Sequence, residues 1–340
     1  MTDYEDHFHT PYEERAQEIP FASHEYLSFA ARGSFLGVPA RRFEDIDGAE
    51  AVIIGAPFDW GTTHRPGARF GPKAIREADY GAMDGYRPHL PTGIDPLGEL
   101  KVVDVGDVYV LPGNLERSID RIADAVERVA RSGAVPIVLG GDHTITFPNA
   151  TGVARVHGFG NIGLIHFDAH ADTGSLQNGQ LYGHGTPMRR LVESSAVPGH
   201  RFVQIGLRGY WPEPEVVAWM REQRMRTYFM TDIEARGLAT VVDEAVDYAL
   251  DGGAEGVFIS VDIDVVDPGM APGTGTPEPG GMTSRQLLDT VRRLSKELVV
   301  LGADVVEVSP PYDHSEITAY LGNRVVLEVL NGMAERKLGV

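Results

Sequence analysis

The sequence predicts a single three-layer α/β/α domain with a mostly parallel sheet of about eight strands. Three observations carry that expectation. Short apolar runs rich in Val and Ile recur from Ala51 onward, each bounded by Gly, Asp or Pro. Continuous runs of this kind mark strands buried on both faces, as in parallel sheets. Helical-period stripes lie between several of them, and strands alternating with helices imply parallel crossovers. No Ser/Gly-rich linker, internal repeat or composition break divides the 340 residues, so one domain is expected where length alone would also permit two.

Taken in order, residues 1–45 are irregular and read as an N-terminal arm, a candidate for contact with another subunit, ahead of one domain over 46–340. The strand runs are Ala51–Gly55, Val102–Val105, Ala134–Gly140 and Ile162–Asp168, then Phe202–Leu207, Arg226–Ile233, Val257–Asp264 and Val299–Val308. Leu115, Ile119, Ile122, Val126 and Val129 form one helical stripe, stopped by Gly133. Val242, Ala245, Val246 and Ala249 form another, with Thr240 as cap and Gly252 as stop. Leu287, Val291 and Leu294 form a third, behind Thr283 or Ser284 as cap.

Composition narrows the function. Lys and Arg number 30 against 49 Asp and Glu, a net charge of −19. That balance disfavours nucleic acid, which needs a basic surface, and favours cationic over anionic small molecules. No apolar run approaches the ~20 residues of a membrane span. The first sixteen residues are acidic and lack an apolar stretch, so no signal peptide is expected and a cytoplasmic location is. The absence of cysteine excludes disulfides, a thiol nucleophile and thiolate metal sites.

In doubly covered sheets ligands bind at the carboxyl ends of the strands, and the unusual residues gather there. Gly140-Gly141-Asp142-His143 ends the third strand, and His166-Phe-Asp168-Ala-His170-Ala-Asp172 lies at the end of the fourth. Asp262-Ile-Asp264 ends the seventh and Glu307 the eighth. In an extended chain residues two apart share a face, so Asp168, His170 and Asp172 would converge, as would Asp262 and Asp264. Buried carboxylates need compensation. Mixed carboxylate and imidazole donors suit Mn, Fe, Ni, Co or Zn, with Mn favoured by an acid-rich set. Four Asp and two His exceed one tetrahedral ion and suit a bridged pair. Surface acids at strand ends are the plain alternative, which the coincidence of three such motifs argues against. An EF-hand loop fails at either start, because the required Gly and Glu positions after Asp168 hold Thr173 and Gly179. Gly158-Phe-Gly160-Asn-Ile-Gly163 precedes a strand rather than following one, so it reads as a turn and not a dinucleotide site.

Together with His184-Gly-Thr186 and Ser260-Val-Asp-Ile-Asp-Val-Val-Asp-Pro268, these motifs resemble the ureohydrolase family of arginases and agmatinases. Thr62-Thr-His-Arg-Pro-Gly-Ala-Arg-Phe-Gly-Pro72, Gly206-Leu-Arg-Gly209, Pro272-Gly-Thr-Gly-Thr-Pro277 and Glu307-Val-Ser-Pro-Pro-Tyr-Asp313 point to its agmatinase and guanidino-acid hydrolase branch. The resemblance runs from about Ala51 to the C-terminus. It implies an arginase-like fold and hydrolysis of a guanidino group to urea and an amine, with two Mn²⁺ per subunit and Ni²⁺ as the alternative. It also implies a homo-oligomer, a hexamer or trimer. By the same resemblance His143, Asp168, Asp172 and Asp262 would hold one ion and His170, Asp168, Asp262 and Asp264 the other. Glu307 would pair with the guanidinium and His184 would carry a proton to the leaving amine.

Other residues receive plainer readings. His166 is expected to be a hydrogen-bonded core residue beside the site, Asp142 and Asp267 turn formers, and Arg65 and Arg69 loop-fixing side chains. His64 stands evenly between a wall of the substrate site and an ordinary loop. Where arginases place polar groups for the α-amino and α-carboxylate of their substrate, this chain has Gly174 and Trp211. A short substrate tail would instead run past Gly174, Asn178, Tyr182 and Trp211, so agmatine or a 4-guanidinobutyrate-type acid is expected over arginine. A nickel-dependent hydrolase of free guanidine, a single-zinc amide hydrolase on the same fold and a non-catalytic homologue are the competing readings.

Overall fold

The computed structural model describes residues 33–79 and 88–340. Most of the arm segment, with His7, His9 and His24, lies outside the described residues. The first half of the domain comprises β1 (Ala51–Gly55), α1 (Gly71–Glu77), α2 (Pro96–Glu99), β2 (Val102–Asp107), α3 (Leu115–Arg131), β3 (Val135–Leu139), α4 (Thr146–His157) and β4 (Ile162–Phe167). The second half adds α5 (Pro187–Glu193), β5 (Phe202–Leu207), α6 (Pro214–Glu222), β6 (Arg226–Phe229), α7 (Met230–Arg236) and α8 (Leu238–Ala249). It ends with β7 (Gly256–Asp262), α9 (Ser284–Glu297), β8 (Val300–Val306) and α10 (Ile317–Leu338).

The strands form one eight-stranded sheet in the order β2-β1-β3-β8-β7-β4-β5-β6. Every neighbouring pair is parallel. Two apolar clusters fill the space between sheet and helices, one on each face. The central strands β3, β8, β7 and β4 are buried along almost their whole length, because helices cover both of their faces. Leu287, Val291 and Leu294 on α9 are fully buried. Truncating one such Leu to Ala costs ~2–5 kcal/mol through lost transfer energy and the cavity left behind. Among the described residues no helix is long and apolar enough to cross a membrane.

Residues 33–38, the described start of the arm, pack on this chain's own core. Phe35 and Leu36 are buried, and the Phe35 N–H donates to Asp104 on β2 at 2.8 Å. Asp104 also receives Nε and Nη2 of Arg76 at 2.8 and 3.0 Å, an almost fully buried ion pair that ties α1 to β2.

The structure corrects several expected boundaries. The sixth strand stops at Phe229, and Met230–Arg236 is helical. Asp232 accepts the Phe229 N–H at 2.9 Å and so starts that helix. A short apolar run fits either state by periodicity, and here the cap decides. Helix α8 begins at Leu238 behind Gly237, so Thr240 lies inside the helix and does not cap it. Thr283 is the cap of α9, accepting the Gln286 N–H at 3.2 Å. The seventh strand ends at Asp262, and Ile263–Val265 is a 3₁₀ turn.

Candidate metal centre and active site

The candidate ligands come from the ends of four adjacent strands, so the strand order itself assembles them. His143 lies past β3, Asp168, His170 and Asp172 past β4, Asp262 and Asp264 at and after β7, and Glu307 immediately after β8. The expected residues converge, but not for the expected reason. Residues 168–172 are not extended. Asp168 Oδ1 turns the chain by accepting the His170 N–H at 2.6 Å, and Asp172 has a left-handed φ of 53°. Asp262 likewise accepts the Asp264 N–H at 2.8 Å within the 3₁₀ turn. Glu307 has φ 63°, again left-handed. These local side chain-to-backbone bonds redirect the acids inward.

His143 Nδ1 stands 3.0 Å from Asp168 Oδ2, 2.9 Å from Asp172 Oδ2 and 3.1 Å from Asp262 Oδ2. None of the three approaches satisfies it as a hydrogen bond, although the ring is buried. His170 Nδ1 lies 3.1 Å from Asp264 Oδ2 and 3.4 Å from Asp168 Oδ1. Asp168 thus offers one oxygen to each group. Donor atoms of His143, His166, Asp168 and Asp172 lie close enough together to hold one ion, and those of Asp168, His170 and Asp264 another. His166 Nε2 is 2.8 Å from Asp168 Oδ2 and its Nδ1 is 3.1 Å from Gln204 Nε2, so it is a fully buried, hydrogen-bonded neighbour of the acids.

Burial and mutual repulsion raise Asp262 and Asp264 above the usual carboxylate range, Asp262 well above it. Burial also opposes charge on His170, but Asp264 and Asp168 overcome this and push its pKa up to about 12. His143 is likewise raised by its three carboxylates against the effect of burial. Such a pattern is that of a concentrated negative potential that favours any cation able to enter.

A second layer supports this set. His166, Ser260 and Asp304 stand side by side across β4, β7 and β8, with Gln204 beyond them on β5. This buried polar row lies one step below the acids. Ser260 Oγ is 3.0 Å from His143 Nε2, and Asp304 Oδ2 accepts from Thr146 Oγ1 and Asn149 Nδ2, both at 2.9 Å. The ring of His143 is thereby held from behind, the usual arrangement for an imidazole that ligates a metal. Gln204 and Asp304 escaped the sequence reading, and Ser260 entered it only as part of a motif, with no role. The signal for them was a polar residue in each of three apolar runs at a similar distance from the strand end.

Above the acids lies a cavity of about 260 Å³, lined by Thr63, Asp172, Gln177, His184, Trp211, Thr276 and Glu307 among others. Glu307 is 1% exposed; its Oε1 accepts the His143 N–H and faces His184 Nδ1, both at 2.9 Å. Its Oε2 has no hydrogen-bond partner. Burial opposes charge on His184, but Glu307 and Asp142 outweigh it and its pKa is pushed up to about 9. Of the expected tail contacts, Trp211 lines this cavity. Asn178 and Tyr182 line an adjoining one of about 280 Å³, and Gly174 lines neither. His64 is exposed and outside both cavities.

The plainer readings are matched by geometry. Asp142 accepts the Thr144 and Gly61 N–H groups at 3.0 and 2.8 Å, and Asp267 those of Gly269 and Gly280 at 2.9 and 2.8 Å. Arg69 pairs with Asp59 at 2.5 Å, and Arg65 lies over the Tyr312 ring. Gly141 is required by a close crossing, since a Cβ there would meet the Phe58 carbonyl oxygen at 1.8 Å. Arg208 donates to the carbonyls of Gly206, Asp264, Val265, Glu278 and Pro279, and so fixes the turn that carries Asp264.

Residues 49–331 match the model of the arginase family. The chain is 42% identical over 284 residues to the mitochondrial guanidino acid hydrolase of Homo sapiens, covering 84% of this chain and 78% of that protein. It is 42% identical over 286 residues to the mitochondrial agmatinase of Gallus gallus, covering 84% and 81%. The solved structure of proclavaminate amidino hydrolase from Streptomyces clavuligerus superposes with a TM-score of 0.83 at 35% identity, covering 91% of this chain and 99% of that one. The same site geometry on the same eight-stranded parallel sheet therefore has a family: the chain belongs to the arginase family, in its agmatinase and guanidino-acid hydrolase branch, and is a hydrolase of amidino C–N bonds.

Proposed function

We propose that this enzyme hydrolyses a small non-arginine guanidino compound, of the guanidino-acid or agmatine type, to urea and an amine. The observation that carries the reading is Glu307, a buried carboxylate with an unpartnered oxygen beside the acid and imidazole cluster at the floor of a cavity. An anion so placed pairs with a guanidinium. The donor set fits a pair of divalent cations: His143 Nδ1 is surrounded by three carboxylates without a satisfactory hydrogen bond. Asp168 divides its two oxygens between His143 and His170. His143, Asp168, Asp172 and Asp262 would hold one ion, and His170, Asp168, Asp262 and Asp264 the other. Manganese is the proposed metal. When bound, such a pair lowers the pKa of water and so provides a nucleophile at neutral pH.

The chain's own residues do the rest. Glu307 orients the guanidinium, and His184, charged below a pKa of about 9, delivers a proton to the leaving nitrogen. Thr63, Gln177, Trp211 and Thr276 offer neutral walls, and no Asp, Glu, Lys, Arg or His stands between 173 and 183. A site that lacks polar partners for an α-amino and α-carboxylate pair gives arginine no advantage. The proposed assembly is a homo-oligomer, a hexamer or trimer, and the proposed location cytoplasmic.

The test is urea release from arginine, agmatine, 3-guanidinopropionate, 4-guanidinobutyrate and guanidine, with Mn or Ni loaded separately. Agmatine or a guanidino acid with Mn is expected to lead. Arginine as the best substrate overturns the argument from Gly174 and Trp211, and guanidine with nickel as the best pair replaces the proposed substrate.

A further inference from the structure

Both nitrogens of His184 are engaged. Nδ1 faces Glu307, while Nε2 lies 2.8 Å from Thr63 Oγ1 and 3.2 Å from the Thr63 amide nitrogen. The segment that presents Thr63 is pinned on both sides. The His184 N–H donates to the Gly61 carbonyl at 3.1 Å, and Asp142 Oδ2 accepts from Gly61 N–H at 2.8 Å and from Thr62 Oγ1 at 3.3 Å. Gly61 permits the approach, since a Cβ there would meet Thr144 Oγ1 at 2.0 Å and the Gly183 Cα at 3.0 Å.

The two contacts on Nε2 differ in kind. An amide N–H can only donate, so it suits the neutral ring with its proton on Nδ1. A hydroxyl can donate or accept, so Thr63 Oγ1 serves the neutral ring and, turned round, the imidazolium. Thr63 is also exposed, and it lines both the cavity above the acids and the adjoining one, whereas His184 is buried and lines the first alone.

We propose that Thr63 is a positioning residue for His184 and the link by which its proton is replaced from solvent. The inference rests on the role given to His184 above. After Nε2 has given its proton to the leaving nitrogen, the Thr63 O–H bond breaks as a new N–H bond forms at Nε2. Oγ1 takes a proton in the same exchange from a solvent hydronium or buffer acid in the adjoining cavity. One proton enters from solvent, and the hydroxyl is regenerated.

The experiment compares the Mn-loaded full-length enzyme with Thr63→Val, Thr63→Ser, His184→Ala and the His184→Ala/Thr63→Val double variant. It uses whichever of agmatine and 4-guanidinobutyrate is turned over faster. Thr63→Val keeps the branched shape and removes the hydroxyl. It is expected to lower kcat ~10-fold or more, within the range of general acid–base help, with KM and bound metal unchanged and a larger solvent deuterium isotope effect. Thr63→Ser is expected to restore most of the rate, and the double variant to be no slower than His184→Ala. A parental kcat in Thr63→Val overturns the proposal. So does equal loss in Val and Ser, a loss that resides in KM or metal content, an unchanged isotope effect, or losses that multiply in the double variant. If His184→Ala itself runs at the parental rate, the role of His184 falls first; if it is slow while Thr63→Val is not, the role of Thr63 alone falls.

Discussion

Removing divalent metal is expected to lower the thermal midpoint by roughly 8 °C. The site concentrates Asp168, Asp172, Asp262 and Asp264 around two imidazoles with little solvent, so their mutual repulsion is a cost of the folded state that a bound cation relieves. A ligand that binds the folded chain alone at a hundredfold excess over its Kd stabilises by ~2.7 kcal/mol, and two independent ions by ~5.4 kcal/mol. For 340 residues the unfolding entropy near the midpoint is about 0.7 kcal/mol/K, and the ratio gives the shift. Calorimetry of chelator-treated protein, with Mn added back and bound metal measured on the same samples, reads it directly. Asp168→Asn removes the residue shared by both groups and is expected to cut the response below ~2 °C. A midpoint indifferent to Mn, or a full response reached at one ion per chain, refutes the two-ion reading.

Two further outcomes follow from groups beside and away from the site. Glu307→Gln removes the charge that most raises the His184 pKa, so in metal-free protein the His184 titration, followed by NMR of labelled histidine, should fall from about 9 toward its ordinary value. The sign for stability is fixed by the direction of the shift. The contribution of charged His184 is complete below pH ~6.5, fades as pH rises through about 9, and should fade earlier in the variant; an unmoved titration sinks this account. Arg76→Met strands Asp104, 1% exposed, among apolar neighbours, which should cost ~3–5 kcal/mol in urea unfolding; a loss below ~1 kcal/mol would show that the Phe35 and Gly106 amides suffice for the carboxylate.

The architecture was legible because parallel strands covered on both faces are apolar along almost their whole length, and Ile162–Phe167 or Phe202–Leu207, each with a single polar residue, admits little else. What escaped was set by local bonds that periodicity does not register. The Asp232 carboxylate converts the end of an apolar run into a helix. Helix α10 was not anticipated because Asn323, Asn331 and Glu335 are buried along with its Leu and Val residues, so no polar stripe marks a solvent face. At the site, residue identities were readable while their geometry was not. Asp-x-His-x-Asp reads as a strand face, yet the acids meet because Asp168 bends the chain and because Asp172 and Glu307 adopt left-handed backbone. Thr63 sits in a quoted motif and Gln177 in the loop after Asp172, but neither is a residue type that marks a catalytic site, and only the fold shows that both line the cavity.

The placement of the centre on β3, β8, β7 and β4 governs how the molecule can come apart. Strands open most readily where one neighbour is missing, and here β2 and β6 are the outer strands. Amide exchange should therefore be fastest at those two and slowest at the four inner strands, each flanked by a partner on both sides. Partial opening at either margin leaves all six candidate ligand residues in register, since none is carried by an outer strand. The candidate ligand set is dispersed only when the interior of the sheet unzips, so loss of the candidate metal site and global unfolding should be one event.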